Sequence, residues 1–536
     1  MLAHFRPFLF AFLGLMLGLL MGYVFIYFLS TIFYISIVLC TLIIVLILFS
    51  LVFKSRRFFK YIFNNKYKYL TIILCFVLGA SIFCIMHSTY KEEYNFNKNQ
   101  NYYVVATVKT NYAHKVNNDT ERLTFLINNA QVLDNEKTIN LKKNLYVSIE
   151  VNNFSKTSPL YELSVNDDIV FYGKFKFTPV FSDNLYEYAY KNNFEYMVYT
   201  TQDDIILYNK QPTGIDAVRE KIHSTLYNNM SEKYASLAYS VLIGDRTGLD
   251  DEIESNLKVT GVAHIVAVSG LHIGFLVVLI LLFCKLCRIR KGWIQFLLAS
   301  VILLLYCMLC NFTPSVTRAS IMAVSVLSAK AFKKQADSLS SVSLAGIIIL
   351  LFRPLYVFDL SFQLSFAAVF AIILLFPLFK SAYIRFKNKK VLTKCLDTIN
   401  LSLSAQIGTT PYIIKNFNYV STFSLIVNVV VVPIFGFIYM ALFIITLLSI
   451  IFPFLGFLLY IPEICFTGIN YVTGFVANIP YSTLPVNTLF PITIMLWLCF
   501  MFLVSDKCIL PKIAKRVVVI SSACVLCTVL ALNLAL

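Results

Sequence analysis

Two histidines, a serine and an arginine occur inside stretches of sequence that are otherwise almost entirely apolar. The segment AHIVAVSGLHIG contains His264, Ser269 and His272, and the segment NFTPSVTRAS contains Arg318. A serine beside a histidine could act as an activated nucleophile, whereas histidine and arginine together could bind an anion. Because polar groups inside a bilayer are costly unless they face protein or water, each of these residues needs a structural or functional reason.

Other polar residues and helix breakers accompany them. FDLSFQLSF places Asp359 and Gln363 at the start of one apolar stretch, and Gln406 and Asn428 fall near the middle of two others. Four helix-breaking residues free backbone groups from helical hydrogen bonds: Gly270, Pro314, Pro411 and Pro433. We expect them to be structural elements near the same path. Freed backbone groups are tolerated where they pack against protein or line a wet cavity. The pattern indicates a hydrated path, or alternatively interhelical hydrogen bonds that only hold the bundle together.

The elements that carry these residues are predicted to be transmembrane helices. Of the 536 residues, 58% are hydrophobic and only 14% are charged, whereas a soluble domain carries about a quarter charged residues. Windows of about 20 apolar residues predict thirteen spans. They lie near 7–29, 31–53, 69–88, 262–284, 293–310, 315–332, 340–358, 361–379, 397–414, 420–449, 454–478, 488–505 and 517–534. The fold class is therefore a polytopic α-helical membrane protein.

The distribution of charge predicts the topology. The net charge of +17 comes from outside the segment 90–212, which holds 13 basic and 15 acidic residues. Five short segments, at 54–68, 285–291, 330–334, 380–394 and 507–516, hold 23 of the 45 basic residues. With the N-terminus in the cytoplasm, strict alternation places all five on the cytoplasmic side, as the positive-inside rule requires. We therefore predict a multi-pass protein of the cell membrane and interpret the basic pI as a topology signal.

The segment between the third and fourth spans is predicted to lie outside and to contain two parts. Residues 90–212 include runs typical of strands, such as YYVVATVKT and DIVFYGKFKF, and predict a small β-barrel. Residues 213–260 have helical periodicity and are predicted to form amphipathic helices on the outer membrane surface. The organisation is then 1–89 helices, 90–212 β domain, 213–260 surface helices and 261–536 main helical domain.

A metal site is not predicted, although the cysteines suggest one by their spacing. Cys284, Cys287, Cys307 and Cys310 form a C-x2-C-x19-C-x2-C series. The second pair lies about 14 residues into a helix, roughly 21 Å from the first pair at 1.5 Å per residue. Buried thiols are the better interpretation, and no cofactor is expected.

Four of these segments also resemble a known family. AHIVAVSGLHIG, PSVTRAS, DLSFQLSFAAV and TTPYIIKNFNYVSTFSLIVNVVVVPI resemble, in order and approximate spacing, the core of the ComEC competence-protein family. The resemblance covers about residues 234–441 well, and the outer β segment is similar more loosely to that family's OB-like extracytoplasmic domain. Members are bacterial inner-membrane proteins that pass a single strand of transforming DNA into the cytoplasm. The family's channel residues would map to His264, Ser269, His272, Arg318, Gln363 and Asn428.

The resemblance implies a channel whose partners are single-stranded DNA and the lipid bilayer. Further expected partners are a DNA receptor outside the cell and a helicase or single-strand-binding protein in the cytoplasm. Many family members end in a metallo-β-lactamase-like domain, but this sequence has no H-x-H-x-D and no histidine after His272. We therefore expect a separate nuclease and no enzymatic activity in this chain. A second departure is FSDNLYEYAYKNN, which lacks the Pro-Gly often present at that point in the family.

A DNA path needs cations or oriented donors, because the strand carries one negative charge per nucleotide. Only five acidic residues follow Thr260, which suits this requirement. We expect Arg246, Lys258, His264 and Arg318 to form an outer funnel, with His272, Gln406 and Asn428 farther in. Alternatively, Arg318 pairs with Asp359 and is structural.

DNA stacking by the β domain is less favoured than a structural or guiding role. Its aromatic residues, such as Tyr102, Tyr103, Tyr146, Phe171 and Tyr172, are numerous, but its charge is slightly acidic.

Two other functions remain open from the residues alone. A transporter of a smaller anionic solute or lipid would use the same polar cavity. An intramembrane serine protease would use Ser269 as nucleophile with His272 as base, although no orienting carboxylate is evident.

Overall fold

In a computed structural model of the chain, the structure describes residues 7–28, 66–89, 96, 100–109, 113–117, 120–134, 137–141, 143–151, 163, 167–177, 194–208, 214–246, 248–383, 390–486 and 491–505. The chain divides into two compact units. One is formed by residues 1–21, 25–79 and 221–536, and the other by residues 22–24 and 80–220. The two units are largely helical and largely β respectively.

The smaller unit contains a closed β-barrel. Its strands are β1 (Asn101–Val108), β2 (Ala113–Asn117), β3 (Thr120–Asp134), β4 (Lys137–Asn140), β5 (Asn144–Val151), β6 (Asp168–Phe177), β7 (Phe194–Thr201) and β8 (Ile205–Tyr208). The five long strands pair in the order β1-β3-β5-β7-β6, and β6 pairs again with β1 to close the barrel. All these pairings are antiparallel except the parallel pair β5–β7. The predicted barrel is confirmed, and its strands coincide with the predicted runs.

Alternation along the strands decides which aromatic residues the barrel buries. Tyr102 and Phe171 point into the core with Val104, Ile127 and Val147. Tyr146 is also buried, in a second cluster of apolar side chains. Tyr103 and Tyr172 are 41% and 46% exposed, and they are direct neighbours across β1 and β6. Three of the five aromatic residues named as DNA-stacking candidates are therefore buried side chains, because strands place successive residues on opposite faces.

The larger unit is a bundle of helices. Its helices are α1 (Pro7–Phe28), α2 (Lys66–Thr89), α3 (Ile215–Asn229), α4 (Glu232–Ile243), α5 (Asp251–Val259), α6 (Gly270–Leu286), α7 (Gly292–Leu309), α8 (Pro314–Ala331), α9 (Ser338–Phe352), α10 (Leu360–Ala382), α11 (Lys390–Phe417), α12 (Ser424–Ile451), α13 (Tyr460–Ala477) and α14 (Pro491–Val504). Parts of α1, α2 and α3 belong to the smaller unit. A short sheet of β9 (Tyr419–Ser421) and β10 (Thr483–Pro485) joins two connections.

Several of these helices can cross a membrane by length and composition. Four are long and apolar enough over Gly292–Leu309, Leu360–Ser381, Ser424–Ile451 and Pro453–Ala477. Shorter apolar helices cover Phe8–Gly22, Thr71–Phe83, Gly270–Leu286 and Ser338–Phe352. Eleven of the thirteen predicted spans overlap helices of the structure, and the other two, 31–53 and 517–534, lie outside the described residues. The membrane character is clear, whereas the number of thirteen crossings stays a prediction.

Helix α4 differs from the expected surface helix. Eight of its twelve residues are buried, including Ala235, Leu237, Val241 and Leu242. They belong to the same apolar core as residues of α12 and α13. The periodicity of EKYASLAYSVLIG was correctly interpreted as helical. Its small and apolar residues, however, cover most of the circumference, which is typical of a buried helix rather than a surface one.

The N-terminal helix packs closely onto the bundle. A Cβ on Gly346 of α9 would lie 2.2 Å from the ring of Phe12, so this glycine provides the space for that ring. Phe12 is fully buried and stacks on Phe366 and Phe370 of α10, with ring centroids 5.6 and 6.1 Å apart. Helix α1 is thereby locked to α9 and α10 by one aromatic side chain in a glycine notch, as small residues allow between membrane helices.

We predict that Gly346→Ala lowers thermal stability while Gly468→Ala does not. Both glycines are inside helices, where alanine is ordinarily favoured by about 1 kcal/mol. A Cβ at Gly468 meets nothing within 4 Å, whereas at Gly346 it meets Phe12. Thermal unfolding of the detergent-solubilised protein measures both variants, and Phe12→Ala combined with Gly346→Ala should relieve part of the loss. Equal stability of the two single variants would contradict the claim that Gly346 provides the space for the Phe12 ring.

Candidate functional site

The start of α6 is fixed by a reciprocal cap between Ser269 and His272. Ser269 is the N-cap residue, and its Oγ accepts a hydrogen bond from the backbone N–H of Leu271 at 3.3 Å. The backbone N–H of Ser269 donates to Nδ1 of His272 at 3.0 Å, and the Ser269 Oγ is also 3.0 Å from that nitrogen. This is a capping box in which histidine replaces the usual glutamate or glutamine. The sequence SGLH therefore begins a helix as well as supplying polar groups.

His272 is sealed among aromatic side chains. It is 0% exposed, and its ring lies edge-on to Tyr439 and Phe435 of α12, with centroids 4.5 and 5.6 Å away. In the part of the chain that the structure describes, its Nε2 atom has no hydrogen-bond partner. Helix α6 starts at Gly270, so His272 lies in its first turn. The preceding residues 263–265 form a separate 3-10 turn after Gly261, which has a φ of +74°.

A pair of tyrosines extends this contact toward α4. The hydroxyls of Tyr439 and Tyr306 are 3.1 Å apart. Tyr306 also approaches the carbonyl oxygen of Leu242, to which its hydroxyl donates at 2.9 Å. The start of α6 is thus connected through α12 and α7 to the buried end of α4. Neither tyrosine was predicted as a site residue, because an aromatic residue in an apolar span is not distinguishable from ordinary core packing.

Arg318 lies beside the same helix end. It is the fifth residue of α8, is only 6% exposed, and its Nη2 lies 3.6 Å from the point where a Cβ on Gly270 would be. Its guanidinium carbon is 5.8 Å from the centre of the Phe366 ring. Among the described residues no hydrogen bond or ion pair to Arg318 is found, and its Nε is a buried donor without a partner. Arg318 and His272 therefore lie at the same helix start, whereas we expected Arg318 in an outer funnel and His272 farther in.

The alternative pairing of Arg318 with Asp359 is not present among the described ion pairs. Asp359 is instead the N-cap of α10, where its Oδ1 accepts the backbone N–H of Phe362 at 3.0 Å. Gln363, in the first turn of α10, donates from Nε2 to the carbonyl oxygen of Val357 at 3.0 Å. Both residues are at the start of α10, as predicted, and both stabilise that start.

Gln406 and Asn428 lie on neighbouring helices. Gln406 of α11 donates from Nε2 to the Oγ of Ser424 at 2.7 Å, at the beginning of α12. Asn428 is 7% exposed, and its Oδ1 has no hydrogen-bond partner within the described ranges. Gln406 is near the middle of its helix as predicted, but Asn428 is only the fifth residue of α12. A Cβ on Gly261 would lie 2.5 Å from the Cβ of Ser424, so the turn before α6 also packs here.

The predicted outer funnel is less cationic than expected. Arg246 and His264 are exposed, but Lys258 is paired with Glu254 on the same helix at 2.9 Å. Lys233, which was not predicted as a site residue, bridges Glu252 at 2.8 Å and Asp250 at 3.2 Å. The carboxylate of Glu252 raises the pKa of Lys233. The acidic residues at the start of α5 are the missed feature, because they lie between segment 90–212 and Thr260, outside both stretches whose acidic residues the sequence argument weighs.

The predicted helix breakers have two different roles. Gly270 is the first residue of α6 and Pro314 the first of α8, where a proline lacks only an N–H that has no partner in the helix. Pro411 and Pro433 lie inside α11 and α12, which continue through them. Pro377 inside α10 is a further proline of this kind that was not predicted. The first two residues therefore begin helices rather than interrupt them.

Among the residues that the structure describes, no group of three or more His, Cys, Asp or Glu side chains could hold a metal ion. Cys284, Cys307 and Cys310 are buried and Cys287 is exposed.

Comparison with known proteins defines the class. Residues 241–506 match the Competence protein family. ComE operon protein 3 of Bacillus subtilis (strain 168) is 28% identical over 222 residues, which is 41% of this chain and 27% of that protein. An uncharacterized protein of Aquifex aeolicus (strain VF5) is 29% identical over 205 residues, 38% of this chain and 45% of that protein. No solved structure matches the chain at a significant level.

Through its helical bundle, this chain belongs to the competence protein family, as the four sequence motifs predicted. The matched region contains all four motifs, together with His272 and its aromatic neighbours Phe435 and Tyr439. The match spans about a quarter of the Bacillus protein and less than half of the Aquifex protein. What those whole proteins do therefore enters only as a proposal.

We predict that His272→Ala lowers the free energy of unfolding by about 2 kcal/mol, from the lost cap and the cavity beside Tyr439. His272→Gln should recover about half of this loss, because glutamine at the third helical position can accept the Ser269 N–H. Thermal unfolding of both variants measures the effect, with Ser300→Ala as a control that removes only a hydroxyl bonded within its own helix. A glutamine variant no more stable than the alanine variant would exclude the capping role.

Proposed function

We propose that this chain forms the membrane passage through which a single strand of DNA enters the cytoplasm during natural competence. The observation that carries the proposal is the match of residues 241–506 to the competence family. Within that region, the arrangement of Arg318 and His272 at one helix start supports a site for the strand. We further propose the motif residues His264, Ser269, Gln363, Gln406 and Asn428 as neighbours of this path.

The distribution of acidic residues favours a polyanion. Of the five acids after Thr260, the four described ones are engaged away from Arg318. Asp337 and Asp359 cap helices, Asp397 accepts hydrogen bonds from Lys380 and Tyr383, and Glu463 accepts the backbone N–H of Ser231. None of them forms an ion pair with Arg318 in the described part. Carboxylates beside the path would repel a strand that carries one charge per nucleotide.

The proposed orientation places the N-terminus in the cytoplasm of a bacterial cell, with thirteen crossings. Helices α6, α8 and α10 each carry a lysine in the last turn, namely Lys285, Lys330 and Lys380. Three alternate helices that end in basic residues fit the positive-inside rule. We propose that these ends face the cytoplasm, where the released strand would meet a helicase or a single-strand-binding protein.

We propose a guiding role for the β domain. The order β1-β3-β5-β7-β6, closed by β1 and β6, is that of a five-stranded Greek-key barrel of the OB type. OB domains hold single strands with stacked aromatics and a basic groove. Here only Tyr103 and Tyr172 of the five named aromatic residues are exposed. A DNA receptor outside the cell would then hold the DNA more firmly than this domain.

We propose no enzymatic role for the chain, and a separate nuclease for strand degradation. The 3.0 Å contact between Ser269 and His272 is the one observation that favours the protease alternative. The capping box explains this contact, because His272 Nδ1 also accepts the Ser269 N–H and the far side of the ring faces Tyr439 and Phe435. Covalent labelling of Ser269 by a fluorophosphonate probe would contradict this view. A carrier for a smaller anion would share the cationic site and differ only in its substrate.

We predict that Arg318→Ala reduces transformation at least tenfold while the protein still inserts into the membrane and DNA still binds at the cell surface. The physical reason is the loss of the buried positive charge that faces the strand. Transformation frequency and surface-bound labelled DNA are measured separately, with deletion of the gene as the reference. Arg353→Ala is the matched control, since Arg353 is exposed and contacts Tyr356. Normal transformation in the Arg318 variant would remove this residue from the path.

A further inference from the structure

The start of α6 presents an electrostatic conflict. The Nη2 of Arg318 lies beside Gly270, the first residue of a 17-residue helix. A helix N-terminus carries about half a positive elementary charge, so it favours anions and disfavours cations. A guanidinium remains protonated in proteins, so Arg318 cannot escape the conflict by losing its charge. Two positive groups therefore share one buried place.

Nothing in the described part of the bundle neutralises them. Only 6% of the surface of Arg318 is exposed, and no described carboxylate forms an ion pair with it. Its Nε is an unpartnered donor. A buried charge without a counter-charge is strongly destabilising, because the desolvation of the ion is not repaid. A bound anion would supply the counter-charge that the described residues do not provide.

Two buried hydroxyls on residues that adjoin Arg318 and Phe366 in the chain have no hydrogen-bond partner among the described residues. The hydroxyl of Thr317, next to Arg318 in the chain, is buried without a partner, and so is that of Ser365, next to Phe366. The capping box uses the N–H groups of Ser269, Leu271 and His272.

The guanidinium is held in place by a stack of aromatic rings. It lies over Phe366, whose ring is 4.2 Å from that of Phe362 and 5.6 Å from that of Phe12. A charged group with a fixed orientation loses little freedom when it binds a ligand. The cation and the helix end are thus preorganised for the same ligand.

We propose that Arg318 and the first turn of α6 form a binding site for a phosphate-type oxyanion. The inference rests on the proposed function, in which the oxyanion is a phosphodiester of the entering strand. Arg318 supplies a planar pair of donors and the helix supplies its N–H and its dipole. Such a site contacts phosphate and not base edges, so it does not discriminate between sequences.

The test is thermal unfolding of the purified full chain in phosphatidylcholine nanodiscs, with inorganic phosphate as the probe. Sodium chloride at equal ionic strength is the blank. Phosphate should raise the melting temperature of the parent protein by about 2 °C or more, in a saturable way, because a ligand bound only to the folded state stabilises it. Arg318→Gln should lose this shift and should not melt lower than the parent without phosphate, since a buried unpaired charge is removed. Arg353→Gln should retain the shift.

Each outcome decides. Absence of a phosphate shift in the parent, or an equal shift in Arg318→Gln, would overturn the site. Replacing phosphate by an oligothymidylate, or adding phosphatidylglycerol to the nanodisc, identifies the source of the oxyanion. An Arg318-dependent shift from the lipid alone would overturn the strand as ligand. A lost shift with normal transformation in Arg318→Gln would support the oxyanion site and contradict its place in DNA uptake. Loss of transformation in Arg318→Gln, without any phosphate shift in the parent protein, would contradict the oxyanion site and support a role of Arg318 in DNA uptake.

Discussion

The burial of one guanidinium at the positive end of a helix is the constraint on which the centre of this bundle depends. Arg318 reaches this place because Pro314 starts α8 four residues earlier, which brings the Arg318 Nη2 into van der Waals range of Gly270 in α6. Aromatic rings from two other helices cover it: Phe366 lies against the guanidinium, and Phe12 backs Phe366. The N-terminal helix, outside the region matched to the competence family, therefore contributes to the surroundings of a family motif.

The start of α6 has to be rigid for this arrangement to have a function. Gly261 turns the chain against Ser424, the 3-10 turn at 263–265 follows, and the capping box of Ser269 and His272 then fixes the first turn. The ring of His272 packs on Tyr439 of α12. The hydroxyl of Tyr439 contacts that of Tyr306, which donates a hydrogen bond to Leu242 of α4. Both Arg318 and His272 are closed off from solvent. Passage of a strand through this point would therefore require the helices around it to separate.

Sequence reasoning predicted most of the helices and the barrel, because long apolar windows and alternating β-branched runs are strong physical signals. It also singled out both His272 and Arg318, since unusual polar residues in apolar helices rarely lack a reason, but it placed Arg318 in an outer funnel and His272 farther in. It failed where the answer depends on tertiary contacts. The burial of α4, the ion pair of Lys258 with Glu254, and the aromatic stack on Arg318 join residues that are distant or locally ambiguous. Helix α6 starts several residues after the predicted span at 262–284, because Gly261 and the following 3-10 turn precede it.

The claim that a DNA strand passes Arg318 is tested most directly by photo-crosslinking during uptake. p-Azidophenylalanine replaces Phe366, whose ring lies against the guanidinium, and in a second strain replaces Phe437 of α12, which is 71% exposed. Cells taking up radiolabelled DNA are irradiated, and the protein is isolated under denaturing conditions. Label attached at position 366 and absent at position 437 is the predicted result. Label at 437 but not at 366, in cells that still transform, would contradict the account.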